Sequence, residues 1–274
     1  MRIRVGQHPG RFALALAVLC GSLASAAPAP TPPALVPVDP AAELGNLTPP
    51  TTWLRGETIL YMQIRDITRA VRFVVQHQAT QEVPHALSYA VVDHKGRTVL
   101  EDTIEPRHLA DAQFQVSRPE TFGIRIAGTE GCEPWYSLQV VDHYYVIDTA
   151  QRAHFFRKMP RHYFAVPAGT KSFRLSAATS DKQEARLQVW NPAGQRILDE
   201  LLSPEDGLDR TFTVAVPTEG TASAVPLWSV QMTAPEKLSP GRTSEDYWLQ
   251  LLDIPPYLSD RRVTLLRPAP PSMP

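Results

Sequence analysis

The sequence predicts an all-β protein made of two tandem antiparallel β-sandwich domains of the jelly-roll or immunoglobulin-like kind. Three observations carry that expectation. Apolar residues alternate with polar ones at period two through most of the chain, helix-type periodicity is scarce, and a twelve-residue sentence, "VVDHKGRTVLED" at 91–102, returns as "VWNPAGQRILDE" at 189–200.

The alternation runs through "ILYMQI", "VRFVVQ", "LSYAVV", "FGIRI" and "YSLQVV", then through "YFAV", "FRLSA", "RLQVW", "FTVAV", "WSVQM" and "YWLQLL". Each run is short, rich in β-branched or aromatic residues and bounded by Gly, Pro, Asp or Asn, the pattern of half-buried antiparallel strands. The one stretch whose composition suggests coiling is "DTAQRAHFFRKM" at 148–159.

In the recurring sentence Val91 aligns on Val189, Gly96 on Gly194 and Asp102 on Glu200, all at an offset of 98. "FQV" at 114–116 falls on "FTV" at 212–214 at the same offset. Upstream, Tyr61, Ile64, Thr68 and Arg72 align on Tyr163, Val166, Thr170 and Arg174 at an offset of 102; downstream, Trp135 is matched to Trp228, both read as core fillers. Several strands in one order imply duplication, with some seven strands per copy. Asp93 and Asn191 bond the backbone ahead of them, while Gly96 and Gly194 supply a positive φ, so each copy carries a tight hairpin turn.

The ends differ in character. Arg2, Arg4 and Arg11, the apolar run "FALALAVLC" and the A-x-A of Ala24–Ala26 read as a secretory signal peptide over 1–26. That run is too short to span a bilayer, so no transmembrane anchor is expected after cleavage. Leu19 stands where a lipoprotein requires a small residue before its Cys, which disfavours Cys20 as an acylation site. The expected organisation is a Pro-rich linker over 27–50, sandwich domains at 51–147 and 160–267, a connector at 148–159, and a Pro-rich tail at 268–274. Asn46 begins a sequon that is read as chance in an exported bacterial product.

The whole chain has 27 basic and 28 acidic side chains; losing the three leader arginines leaves 24 against 28. No Lys/Arg block appears, which argues against nucleic acid as a partner. Cys132 is the one cysteine left after cleavage, so packed cores rather than an intrachain disulfide must stabilise the fold.

The second copy contains "VPAGT", the alternating "FRLSA" and a strand running into "NPAGQ", whereas "IRDITRA" replaces "VPAGTKS" in the first. In these motifs the chain, mainly in its second half, resembles the pre-peptidase C-terminal family of bacterial secreted β-sandwiches. "IPPYLS" at 254–259 is similar to a closing segment of secreted bacterial proteins, some fused to glycoside-degrading domains. The resemblance implies an accessory module without catalytic residues, contacting polysaccharide or another protein.

No nucleophile elbow, H-E-x-x-H, C-x-x-C or phosphate-binding loop occurs. Glu101–Asp102 and Asp199–Glu200 form paired carboxylates of the sort glycosidases use, but they occupy the same hairpin-strand position in each copy and read as solvated polar residues. Asp206 and Asp209 supply too few oxygens for Ca²⁺. His143, His154 and His162, with Asp142 or Asp148, match no standard Zn²⁺ spacing, and Cys132 lacks an identifiable base.

The aromatics offer more. In "RLQVW" Trp190 shares parity with Gln188 rather than with Leu187 and Val189, and in "DYWLQLL" Trp248 goes with Gln250, so both tryptophans point outward. Tyr257 in "PPYL" joins them as a third ligand candidate. The alternative for such residues is burial between two packed domains. The expectation is a non-enzymatic exported protein, periplasmic or extracellular, with no cofactor and no metal, binding envelope or external carbohydrate through Trp190, Trp248 and Tyr257. A structural adaptor for another envelope or secreted protein is the alternative, and a hydrolase comes third.

Overall fold

Strands supply the regular architecture of the computed structural model, which describes residues 30–37, 51–68, 70–78, 85–129, 132–141, 143–206, 209–217, 227–262 and 266–268; no α-helix occurs among them. The expected leader, most of the expected linker with Asn46, and the tail beyond 268 lie outside the described residues. Among those described, no helix is long and apolar enough to cross a membrane.

The first copy contributes β2 (Thr52–Arg55), β3 (Thr58–Ile64), β4 (Val71–Gln78), β5 (Leu87–Val92), β6 (Thr98–Ile104), β7 (Leu109–Phe114), β8 (Glu120–Gly128), β9 (Trp135–Val141) and β10 (Tyr144–Asp148). The second repeats the series as β11 (Ala153–Phe156), β12 (Met159–Ala165), β13 (Ser172–Thr179), β14 (Ala185–Trp190), β15 (Arg196–Leu202), β16 (Asp209–Ala215), β17 (Leu227–Thr233), β18 (Asp246–Leu252) and β19 (Tyr257–Leu258). Outside the repeat, β1 (Leu35–Pro37) pairs with β20 (Leu266–Pro268), so part of the expected linker is strand and is held against the body of the protein.

The copies fuse edge to edge. One layer is an eight-stranded sheet ordered β16-β13-β18-β11-β2-β9-β4-β7, a palindrome in which β2 answers β11, β9 answers β18, β4 answers β13 and β7 answers β16. The opposing layer holds β6-β5-β8-β3-β10-β19 in one sheet and β12-β17-β14-β15 in another, joined by a bridge between Tyr163 and Ser259. At the seam Leu54 of β2 lies directly opposite Phe155 of β11. These two are equivalent, since Leu54 also faces Tyr136 of β9 while Phe155 faces Tyr247 of β18. A pseudo-twofold axis therefore passes between them.

Alternation builds the core as expected. In β4, Val71, Phe73, Val75 and His77 are buried while the intervening side chains are partly or fully exposed. Each fully buried Val, Leu or Phe contributes roughly 1.5–3 kcal/mol of transfer free energy. One apolar cluster runs through both copies, from Leu54, Phe73 and Val91 to Phe155, Phe173 and Val189. Val91 and Val189 keep equivalent places, opposite Leu100 and Leu198, each followed by a β-bulge.

The twin turns form as read. Asp93 Oδ1 accepts from the Lys95 and Arg97 amides at 2.8 and 3.0 Å, and Asn191 Oδ1 accepts from the Gln195 amide at 2.9 Å. Gly96 and Gly194 stand at φ of 74° and 81°.

Three sequence expectations need correction. The 148–159 connector does not coil: it contains β11, whose four residues are all buried because both sides of the strand are covered. Trp135 and Trp228 are not counterparts, since Trp135 begins β9 whereas Trp228 lies in β17 opposite Phe164, the place Phe122 holds opposite Met62 in the first copy. Trp228 is core, and Trp135 is half-buried on the outer side of its sheet. Finally, Val71 faces Phe114 as Phe173 faces Val214, so β7 and β16 correspond two residues away from the "FQV"/"FTV" alignment. A slip of two keeps every side chain on its own face, which is why the alternation concealed it.

Candidate functional site

The outer face of the eight-stranded sheet gathers aromatic and charged side chains at the seam. Trp53 and Arg55 project from β2, Trp135 from β9, His154 and Phe156 from β11, and Asp246, Trp248 and Gln250 from β18. Alternation puts them there, because Leu54, Tyr136, Phe155, Tyr247 and Leu249 fill the inner face. Three of the five tryptophans, Trp53, Trp135 and Trp248, thus share one surface, each half-buried.

Two ring stacks cross the strands. His154 lies on Trp248 with centroids 3.9 Å apart and planes inclined by 28°, and Trp135 lies on Phe156 at 4.0 Å and 30°. The exposed Arg157, just beyond β11, places its guanidinium 5.2 Å from the Trp53 centroid and 5.6 Å from that of Phe156. Such contacts stabilise by about 0.5–1 kcal/mol at exposed sites and hold the guanidinium in a defined place.

A polar network underlies the rings. Asp246 accepts from Arg55 Nη1 at 3.1 Å, from Gln183 Nε2 at 3.0 Å and from His154 Nε2 at 3.0 Å. Gln183 Oε1 in turn accepts from the Asp246 amide at 2.6 Å. Burial pushes the Asp246 carboxyl upward, but the His154 hydrogen bond and the Arg55 charge outweigh it and hold the group below the usual carboxylate range. Beside Trp248, Gln250 Nε2 donates to the Ala150 carbonyl at 2.6 Å, and Arg152 reaches Ser176 at 3.2 Å and pairs with Asp209. Ser176 donates to the same carboxylate at 2.8 Å. The surface therefore offers the half-exposed rings of Trp53, Trp135 and Trp248 and the exposed Arg157, held from beneath by a buried and already bonded polar network.

The three residues singled out in the sequence are not brought together. Trp248 belongs to this face. Trp190 lies on the outer side of the opposite layer, half-buried, with the Arg161 guanidinium 3.8 Å from its centroid. Tyr257 sits at the seam of that same opposite layer, edge-on to Tyr61 at 5.9 Å, in a small apolar cluster that includes Leu35 of β1. Burial between stacked domains does not occur for either tryptophan, because the copies meet at their edges.

Trp53, Trp135, Phe156 and Arg157 escaped the sequence reading. The signal for two of them was present in "TWLR" and "WYSLQV", where each tryptophan has the parity opposite to a buried Leu54 or Tyr136.

The other candidates disperse. Glu101 and Asp102 are exposed on β6, the edge of its sheet, and Asp199 and Glu200 lie on the corresponding edge strand β15, paired with Arg186 and Arg210. Charges on edge strands discourage pairing with another chain. His154 is on the outer face while His162 is fully buried in the core, and among the described residues no group of three His, Cys, Asp or Glu could hold a metal ion. Asp142 and the Asp206 side chain lie outside the described residues. A cleft of about 520 Å³ opens between residues 32–36 and the start of β8, but its His94, Arg118 and Glu120 are engaged with one another.

No family model and no curated protein matches the chain. Among solved structures, it is similar to the N-terminal CBM22-1-CBM22-2 tandem domain of Paenibacillus barcinonensis Xyn10C, with a TM-score of 0.26 and 8% identity, covering 77% of this chain and 84% of that one. A likeness at that level leaves the functional reading to the site itself.

Proposed function

We propose that this is an exported, non-catalytic binding protein that contacts polysaccharide through the outer face of its eight-stranded sheet. The observation that carries the reading is the set of half-buried Trp53, Trp135 and Trp248 spread over four adjacent strands, the latter two stacked on the buried Phe156 and His154, with Arg55, Arg157 and Gln250 beside them. A pyranose ring has apolar C–H faces and peripheral hydroxyls, so it gains both from half-exposed indole surface and from directed hydrogen bonds at its edge. The stacks fix the rings before a ligand arrives, which lowers the ordering cost of binding. Export to the periplasm or beyond fits the leader and the Pro-rich linker and places the protein where such polymers occur.

The test is affinity electrophoresis and tryptophan fluorescence against a panel of neutral and acidic polysaccharides. Binding to one class is expected, with affinity at least tenfold weaker in Trp248→Ala and in Trp53→Ala. Absence of binding across the panel, or unchanged affinity in both variants, would overturn the reading.

A further inference from the structure

The opposite layer carries a second outer surface whose charge is not balanced in the same way. On the four-stranded sheet, the outward row pairs Trp190 with Ser229 and Ser229 with Tyr163, and the next row pairs Gln188 with Gln231. Arg161, exposed on β12, reaches over β17 to lie 3.8 Å from the Trp190 centroid, and Ser229 beneath is covered. The neighbouring cations on this face are already neutralised: Arg186 and Arg196 meet Asp199 at 2.7 and 3.0 Å, and Arg186 also meets Glu236 at 3.4 Å. Arg161 forms no ion pair with any carboxylate among the described residues.

This contrasts with the usual state of arginine here, where Arg72, Arg97, Arg125, Arg152, Arg174, Arg210 and Arg242 all reach an acid. A guanidinium laid on an indole keeps its N–H fork free, because stacking uses the flat face while the donors lie in the plane at the rim. That is the geometry a carboxylate takes in a two-point hydrogen-bonded pair. Beside it stand the Trp190 ring, the Tyr163 phenol and the Gln231 amide, a combination suited to a sugar ring bearing the acid. At the seam Arg157 also lies over an indole, Trp53, without an ion pair among the described residues, but at 5.2 Å rather than 3.8 Å, and there Arg55 is engaged by Asp246 while Glu133 and Glu245 border the strip.

We propose that the Trp190–Arg161 surface is a second site, for a carboxylate-bearing polysaccharide such as a polyuronate, with Arg161 receiving the sugar carboxylate. The inference rests on the carbohydrate reading above but concerns a different face and a charged sugar. Having sites on opposite layers, the protein holds two polymer strands at once.

The experiment titrates the full chain with polygalacturonate, with its methyl ester, and with neutral galactan, comparing wild type, R161Q, R161K, W190A and W248A. Polygalacturonate is expected to bind. Its affinity falls at least tenfold on esterification, in R161Q and in W190A, and recovers only in part in R161K. Equal affinity for acid and ester, or an R161Q protein that melts normally and binds polygalacturonate as wild type does, overturns the proposal. If a neutral glycan binds through Trp248 while polygalacturonate does not bind, this inference fails and the seam site stands. If nothing binds at either face, both fail.

Discussion

Arg55 Nη1 donates to both carboxylate oxygens of Asp246 at 3.1 Å, reaching across β11 to tie a strand of the first copy to a strand of the second. The pseudo-twofold axis carries Arg55 onto Phe156 and Asp246 onto Trp135, and those two residues stack at 4.0 Å. One geometric relationship is thus satisfied by an ion pair on one side and by two rings on the other. The duplication kept the contact and diverged in its chemistry.

Removing Asp246 leaves Arg55, His154 and Gln183 without their shared acceptor. Asp246→Ala is expected to destabilise by about 2–3 kcal/mol, less than for a wholly buried pair because the Arg55 side chain keeps 28% of its exposure. Urea unfolding at pH 7 measures this. Because the native carboxyl is held below its ordinary value, its contribution is complete above about pH 4 and is lost as pH falls through the lowered native value. The difference between wild type and variant should therefore narrow in acid.

His162 supplies a second pH dependence. It is fully buried, its Nδ1 donates to the Pro160 carbonyl at 2.7 Å, and burial depresses its pKa from 6.5 to about 4. The unfolded chain takes up a proton near pH 6.5 that the folded chain refuses until about pH 4. Stability is therefore full above 6.5 and declines between those values, by on the order of 3 kcal/mol. Leu60 holds the equivalent place in the first copy and is wholly buried. His162→Leu is expected to flatten the stability profile between pH 6.5 and 4 without loss at neutral pH. An unchanged slope would contradict this assignment.

The paired turns differ in surroundings. A Cβ at Gly194 would meet nothing within 4 Å, whereas one at Gly96 would lie 2.8 Å from Thr31 Oγ1. Gly194→Ala is expected to cost only the positive-φ penalty of about 1 kcal/mol. Gly96→Ala should cost more and should loosen residues 30–37, read as faster amide exchange in β1.

The sequence displayed what side-chain alternation encodes. Val91 and Val189, the Asp93 and Asn191 turns, and the outward parity of Trp190 and Trp248 were all legible because each leaves a period or a turn residue behind. The edge-to-edge fusion was not, because β2 and β11 join through backbone hydrogen bonds that have no residue signature. Strand β11 was hidden for a related reason. In "AHFF" the inner positions are apolar and the outer ones are occupied by His154 and Phe156, stacked under tryptophans, so no alternation shows. The site suffered the same way: its members come from β2, β9, β11 and β18, and only the seam makes them neighbours.

The proposed binding face exists only if the two copies form one cooperative body that shares the seam. Urea unfolding of the full chain, followed at once by tryptophan fluorescence and far-ultraviolet circular dichroism, tests that most directly. A single transition with coincident midpoints is expected, together with failure of a 51–147 segment to unfold cooperatively by itself. Two separated transitions, or an isolated segment with its own sharp transition, would contradict a shared core.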